Sequence, residues 1–234
     1  MTVWNIHFLN ARHGLTRVLP EIREVARQAV ALVEAECDLP RFDLVVKPDG
    51  GRRNVDRGPQ ARTPAAGQIE LTLNPDGFAA DATLRALLRE MHHVIRHDRA
   101  GYGRSLGDAL VAEGLAGHFV LHVMGGRADP RDATAPAPGL ARKALNEWSR
   151  LDFDRARWFE GKGDLRKWAG YGLGHRLVAD ELAQQPDADV TTLTPVKAEV
   201  FRAAMRRLVS SDGPEETPEI TDSPAQNAAK DAAG

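Results

Sequence analysis

Between residues 67 and 123 the hydrophobic pattern switches once, from alternation to helical spacing, and this switch constrains the fold more than any other feature of the chain. In GQIELTLN (67–74), Ile69, Leu71 and Leu73 fall on one side and Gln68, Glu70 and Thr72 on the other. That is a half-buried strand, and the Asn-Pro-Asp-Gly after it is a stop. Residues 81–97 then place Leu84, Leu87, Leu88, Met91 and Ile95 on one helical stripe. Ser105 followed by Asp108 makes a capping-box-like start for a second helix ending near Val123. A sheet strand followed by two long helices sets the expected class, α+β.

The flanking segments extend this plan. Residues 3–9 have strand character, 18–36 carry apolar residues at helical spacing, and 42–46 read as another strand. Residues 47–66 are rich in Pro, Gly and Arg without an apolar period, and are expected to form a long loop. The organisation expected is an N-terminal α+β part (1–124), a Pro- and Ala-rich linker (125–139), a helical C-terminal part (140–209) and a disordered tail (210–234). In the helical part the expected segments are 140–150, a stretch near Trp158, 170–184 and 195–209, with Pro195 in a first helical turn. Trp148, Trp158 and Trp168 are expected to serve packing.

With 31 Lys plus Arg against 33 Asp plus Glu, the net charge is −2, too balanced for phosphate attraction to be the main activity. Nucleic acid is not an expected partner. No apolar run is long enough to span a bilayer, and the start lacks a signal-peptide pattern, so no membrane partner and a cytoplasmic location are expected. The lone Cys37 reads as a buried structural thiol.

The chemistry lies in LLREMHHVIRH (87–97) and the helix after it. Arg89, Glu90, His93 and His97 share the side of the helix opposite its apolar stripe, with Glu90 and His93 three apart and His93 and His97 four apart. Alone, such a face reads as a solvated charged rim. Glu113 alters that weighting, because Ala109, Ala116 and Gly117 ring it with small side chains and invite close packing. A carboxylate buried there needs a partner, either a metal shared with His93 or the guanidinium of Arg89.

The order of a strand, an Asn-Pro turn, a helix with R-E-M-H-H and a helix with E-G-L-A resembles the gluzincin type of zinc metallopeptidase, and within it a bacterial group of predicted zinc-dependent proteases. The resemblance spans roughly 69–208 and implies a zincin-like fold, zinc as cofactor and a peptide or protein as substrate. It also implies Glu90 as general base, His93 and Glu113 as zinc ligands, and Tyr171 in YGLGHRLV as an oxyanion stabiliser. The alternating strand 67–74 would then offer an edge for an extended peptide, unless it lies inside the sheet.

One position departs from the pattern: Arg89 stands where HExxH has its first His. Guanidinium keeps its proton in proteins and places a positive charge where a dication should sit. Three readings remain open here: a pseudoprotease in which Arg89 is the counter-ion of Glu113, a divergent site using His93 and Glu113 with His97 or His92, and an ordinary helical core. His118 and His122, four apart, read as a surface pair, while His175 is a candidate for the cleft beside Tyr171.

Overall fold

The computed structural model describes residues 2–50, 58–101 and 103–212. Strand β1 (Trp4–Phe8), helix α1 (Leu19–Glu36) and strand β2 (Phe42–Pro48) form a crossover unit, the helix returning the chain so that the two strands run parallel. Strands β3 (Gln60–Ala65) and β4 (Gln68–Leu73) complete a sheet of order β1-β2-β4-β3. β4 runs parallel to β2 and antiparallel to β3.

The alternation of β4 behaves as its chemistry requires: Ile69, Leu71 and Leu73 are buried, and Glu70 lies on the other face between Lys47 (3.0 Å) and Arg62 (2.8 Å). Two expectations need correcting. β4 is not an edge but an interior strand, paired on both sides. The edges are β1 and β3, and β3 occupies the end of the segment expected to be loop; residues 51–57 of that segment lie outside the described residues. Gln-Ala-Arg-Thr-Pro-Ala has no apolar alternation, and Pro64 cannot donate to a ladder, so it is tolerated only at an edge or irregularity. The register indeed shifts between Arg62 and Ala65.

Helices α2 (Ala80–Ala100) and α3 (Leu106–Met124) are the two that the sequence announces. Ser105 and Asp108 close a reciprocal capping box at the start of α3, where the side chain of each accepts the other's backbone N–H. After it come α4 (Leu140–Glu147), a π-helical turn at Ala156–Glu160, α5 (Ala169–Gln184), the short α6 (Val190–Leu193) and α7 (Arg202–Ser211). Pro195 does not open a helix. It follows α6, where a residue without an N–H is a natural stop.

A continuous core joins all of these elements, from Leu15 to Leu208. Trp148 and Trp158 are buried in it, and Trp148 lies against Gly107, where a Cβ would meet the indole at 2.4 Å. The closest helix crossing is α3 on α5: a Cβ on Gly114 would meet the carbonyl oxygen of Gly174 at 2.1 Å. This crossing brings Glu113 and Tyr171, each next to or near a contact glycine, toward the same space. Cys37 caps α1 half-buried, and burial pushes its thiol up toward the neutral form. Among the described residues no helix is long and apolar enough to cross a membrane.

Candidate functional site

A cleft of about 660 Å³ opens between β3, α2, α3 and the start of α5. Glu90, His93, His97, Glu113 and Tyr171 all line it. The polar side of α2 is therefore no solvated rim: Glu90 is 6% exposed, and the Arg89 side chain, just beneath the lining, is 1% exposed.

Glu113 is the most heavily engaged group. Its Oε2 lies 3.4 Å from His93 Nε2 and 3.5 Å from Arg89 Nη1, while its Oε1 accepts from Arg155 at 2.5 Å. Burial alone would raise its pKa, but His93, Arg155 and Arg89 hold the carboxyl well below its usual range. The small residues around Glu113 have separate tasks. Gly114 admits α5, and Gly117 leaves room for another carboxylate, since a Cβ there would meet Asp132 at 2.8 Å.

Asp132 is a residue that sequence reasoning misses. It sits in the segment 125–139, expected to be a linker, yet it is buried and forms a direct ion pair with Arg89 Nη2. Asp129 approaches the same guanidinium at 3.8 Å and is itself held by Arg85 Nε at 2.6 Å. Burial pushes Asp132 up to about 6 against the pull of Arg89, with Asp129 and Glu113 adding to the rise. Burial also works against the charge on Arg89, but Asp132 and Glu113 together hold its pKa above the usual range. A buried guanidinium surrounded by Asp132, Glu113 and Asp129 is fixed in place by charge, and only its Nε lacks a hydrogen-bond partner.

The remaining groups settle around this centre. Thr63 of β3 donates its hydroxyl to Glu90 Oε2 at 2.9 Å, tying the edge strand to α2. The Tyr171 ring packs edge-on against Phe159 and under the guanidinium of Arg131, 5.3 Å from its centroid. The Glu113 carboxylate and burial push its hydroxyl up to about 12. His92 points away from the cleft, its Nε2 3.0 Å from Thr194 Oγ1 and its ring against Phe119. Arg131, like Asp132, comes from an irregular segment, and Arg155 opens the short π-helical turn; neither stretch has an apolar period to betray them.

Two histidine expectations also change. His118 does not pair with His122, which contacts Glu36 at 2.7 Å. It stacks on His175 instead, with ring centroids 3.9 Å apart, and its Nε2–H donates to the His175 carbonyl at 2.9 Å. His175 thus sits at the α3–α5 contact and is not among the cleft-lining residues. Burial lowers both imidazoles, His175 to about 4. Each folded-state pKa lies below the usual 6.5, so the pair's own contribution to stability rises with pH between about 4 and 6.5, while Asp132, raised to about 6, contributes in the opposite sense below that value. Urea unfolding of the wild type and of His175→Gln across that window isolates the imidazole contribution, and the variant should show the less positive slope. An unchanged slope would locate the titration elsewhere.

The donor set can be tested against the zinc that the sequence resemblance implies. Among the described residues no group of three His, Cys, Asp or Glu side chains is placed to hold a metal, so His93, Glu113 and His97 do not close into a ligand set. Both oxygens of Glu113 face cations, and the position of the missing imidazole holds a buried, paired guanidinium. These residues do not fit a zinc ion.

No curated protein matches the chain. Residues 20–203 match a family model described as "Predicted Zn-dependent protease (DUF2268)", and the chain belongs to that family.

Proposed function

We propose that this chain is a pseudoprotease of its family, keeping the zincin-like frame as a peptide-binding module in which Arg89 takes the place of the metal. The observation that carries this reading is the position of Arg89, 1% exposed and bonded to Asp132 and Glu113. One fixed cation replaces another as the counter-charge of Glu113, so the fold keeps its electrostatic centre without a Lewis acid. Peptide binding is supported by β3, an edge strand that lines the cleft. An extended segment can add to such an edge through main-chain hydrogen bonds.

In this reading Glu90, engaged by Thr63, and Tyr171, held under Arg131, shape the cleft and do not move protons in a reaction. The competing reading, a divergent zinc peptidase using His93 and Glu113 with His97, finds its support in the 3.4 Å approach of His93 to Glu113. Zinc titration of the purified protein separates the two. The wild type should bind zinc weakly and hydrolyse no peptide when zinc is supplied. Arg89→His should raise zinc affinity by orders of magnitude, with Asp132 placed to orient the new imidazole. Tight stoichiometric zinc in the wild type, with peptidase activity that follows it, would return the chain to the peptidases.

A further inference from the structure

The cleft has an end that the family chemistry does not use. There α2 runs out at Ala100, and the turn after α6 passes beneath it. Arg96 is 6% exposed, and its Nη1 donates to the carbonyls of Thr194 (2.7 Å) and Val196 (3.0 Å). Lys197 Nζ donates to the Ala100 carbonyl, and Arg104 stands exposed on the rim. All three line the cleft.

Among the described residues none of these three cations is in an ion pair with a carboxylate. The nearby Asp108, which also lines the cleft, is hydrogen-bonded to Ser105 in the α3 capping box and offsets one of the three positive charges without an ion pair to any of them. Carbonyl oxygens satisfy hydrogen bonds but leave the net charge standing, and for Arg96 the charge is nearly buried. Burial pushes its pKa down to about 10, and the nearby Asp108 carboxylate only partly opposes that fall. The contrast with the other end is direct, since there Arg89 and Arg155 meet Glu113 and Asp132. One end of the cleft is neutralised from within, and at the other three cations outnumber the single carboxylate of Asp108.

We propose that Arg96, Arg104 and Lys197 form a carboxylate-binding subsite, which makes the cleft selective for an acidic peptide segment of a partner protein. This rests on the peptide-binding reading above and adds to it the chemical class of the ligand. A peptide lying along β3 would direct an Asp or Glu side chain into this end, where nearly buried Arg96 supplies charge shielded from solvent, and Arg104 and Lys197 supply the rim. Partly desolvated charge complementarity of this kind acts mainly on partner choice and encounter rate.

The test is fluorescence anisotropy of the full chain with a labelled Glu-rich peptide and with its Gln counterpart of the same length. The acidic peptide should bind at least about tenfold more tightly, with the preference shrinking as salt rises. Arg104→Glu, on an exposed side chain whose loss should not harm folding, should abolish most of that preference by weakening the Glu-rich peptide far more than its Gln counterpart; Lys197→Met should reduce it. Equal binding of both peptides would overturn the subsite and leave the peptide-binding reading standing. A preference that survives Arg104→Glu and Lys197→Met would also overturn the subsite. Binding of neither peptide would overturn both readings.

Discussion

Arg89→Ala should destabilise the protein by about 3–5 kcal/mol, the cost of leaving buried carboxylates without their cation. Asp132 and Glu113 would both lose a partner, and both are almost inaccessible to water. Asp132→Ala should also be costly, because it strands most of the Arg89 charge. The double variant should cost clearly less than the sum of the two single variants, since no unpaired ion of that pair remains. Glu113→Ala should couple to Arg89 more weakly than Asp132→Ala does, because Arg155 and His93 share the Glu113 carboxylate. Denaturant unfolding in the presence of chelator measures all of these. Losses that add to within about 0.5 kcal/mol would show that Arg89 and Asp132 do not act as a pair.

A second large effect is expected at the helix crossing. Gly114→Ala in isolation should favour α3 by about 1 kcal/mol through helix propensity. Here the new methyl would meet the backbone of Gly174, with the carbonyl oxygen at 2.1 Å and the carbon at 2.5 Å, and backbone cannot swing aside as a side chain can. The clash should outweigh the propensity gain, for a net loss of about 2–3 kcal/mol. The same displacement moves α5, and with it Tyr171, away from Glu113. Peptide affinity should therefore fall along with stability. A Gly114→Ala variant as stable as the wild type would mean that the two helices do not cross this closely.

How much of this was legible in the sequence depended on whether a residue's environment was encoded locally. Strand β4 and helices α2 and α3 were legible because the apolar positions repeat with a clear period, and the capping box could be read from Ser105 and Asp108 alone. Edge strand β3 was not, since half of its environment is solvent and it contains Pro64. At the site, the need of Glu113 for a cation could be inferred from its small neighbours, and the structure supplies Arg89, His93 and Arg155 together. Asp132, Arg131 and Arg155 could not be inferred, because their place depends on where short non-periodic segments fold back, and no periodicity records that. The His118–His175 stack was missed for a related reason: its partners lie on different helices, and only the crossing at Gly114 and Gly174 brings them together.

The pairing of Arg89 with a carboxylate from a distant segment also bears on how such a chain can change over generations. A change from Arg to His at position 89 removes the charge that Asp132 and Glu113 require, so without metal such a variant carries an electrostatic defect in its core. A prior loss of Asp132 leaves the guanidinium exposed to the same penalty from the other side. Each single step therefore crosses a valley in stability, and only simultaneous change or abundant zinc bridges it. The buried ion group thus works as a ratchet: with Arg89 and Asp132 both in place, folding itself opposes the replacement of either one alone, whatever selection acts on the cleft.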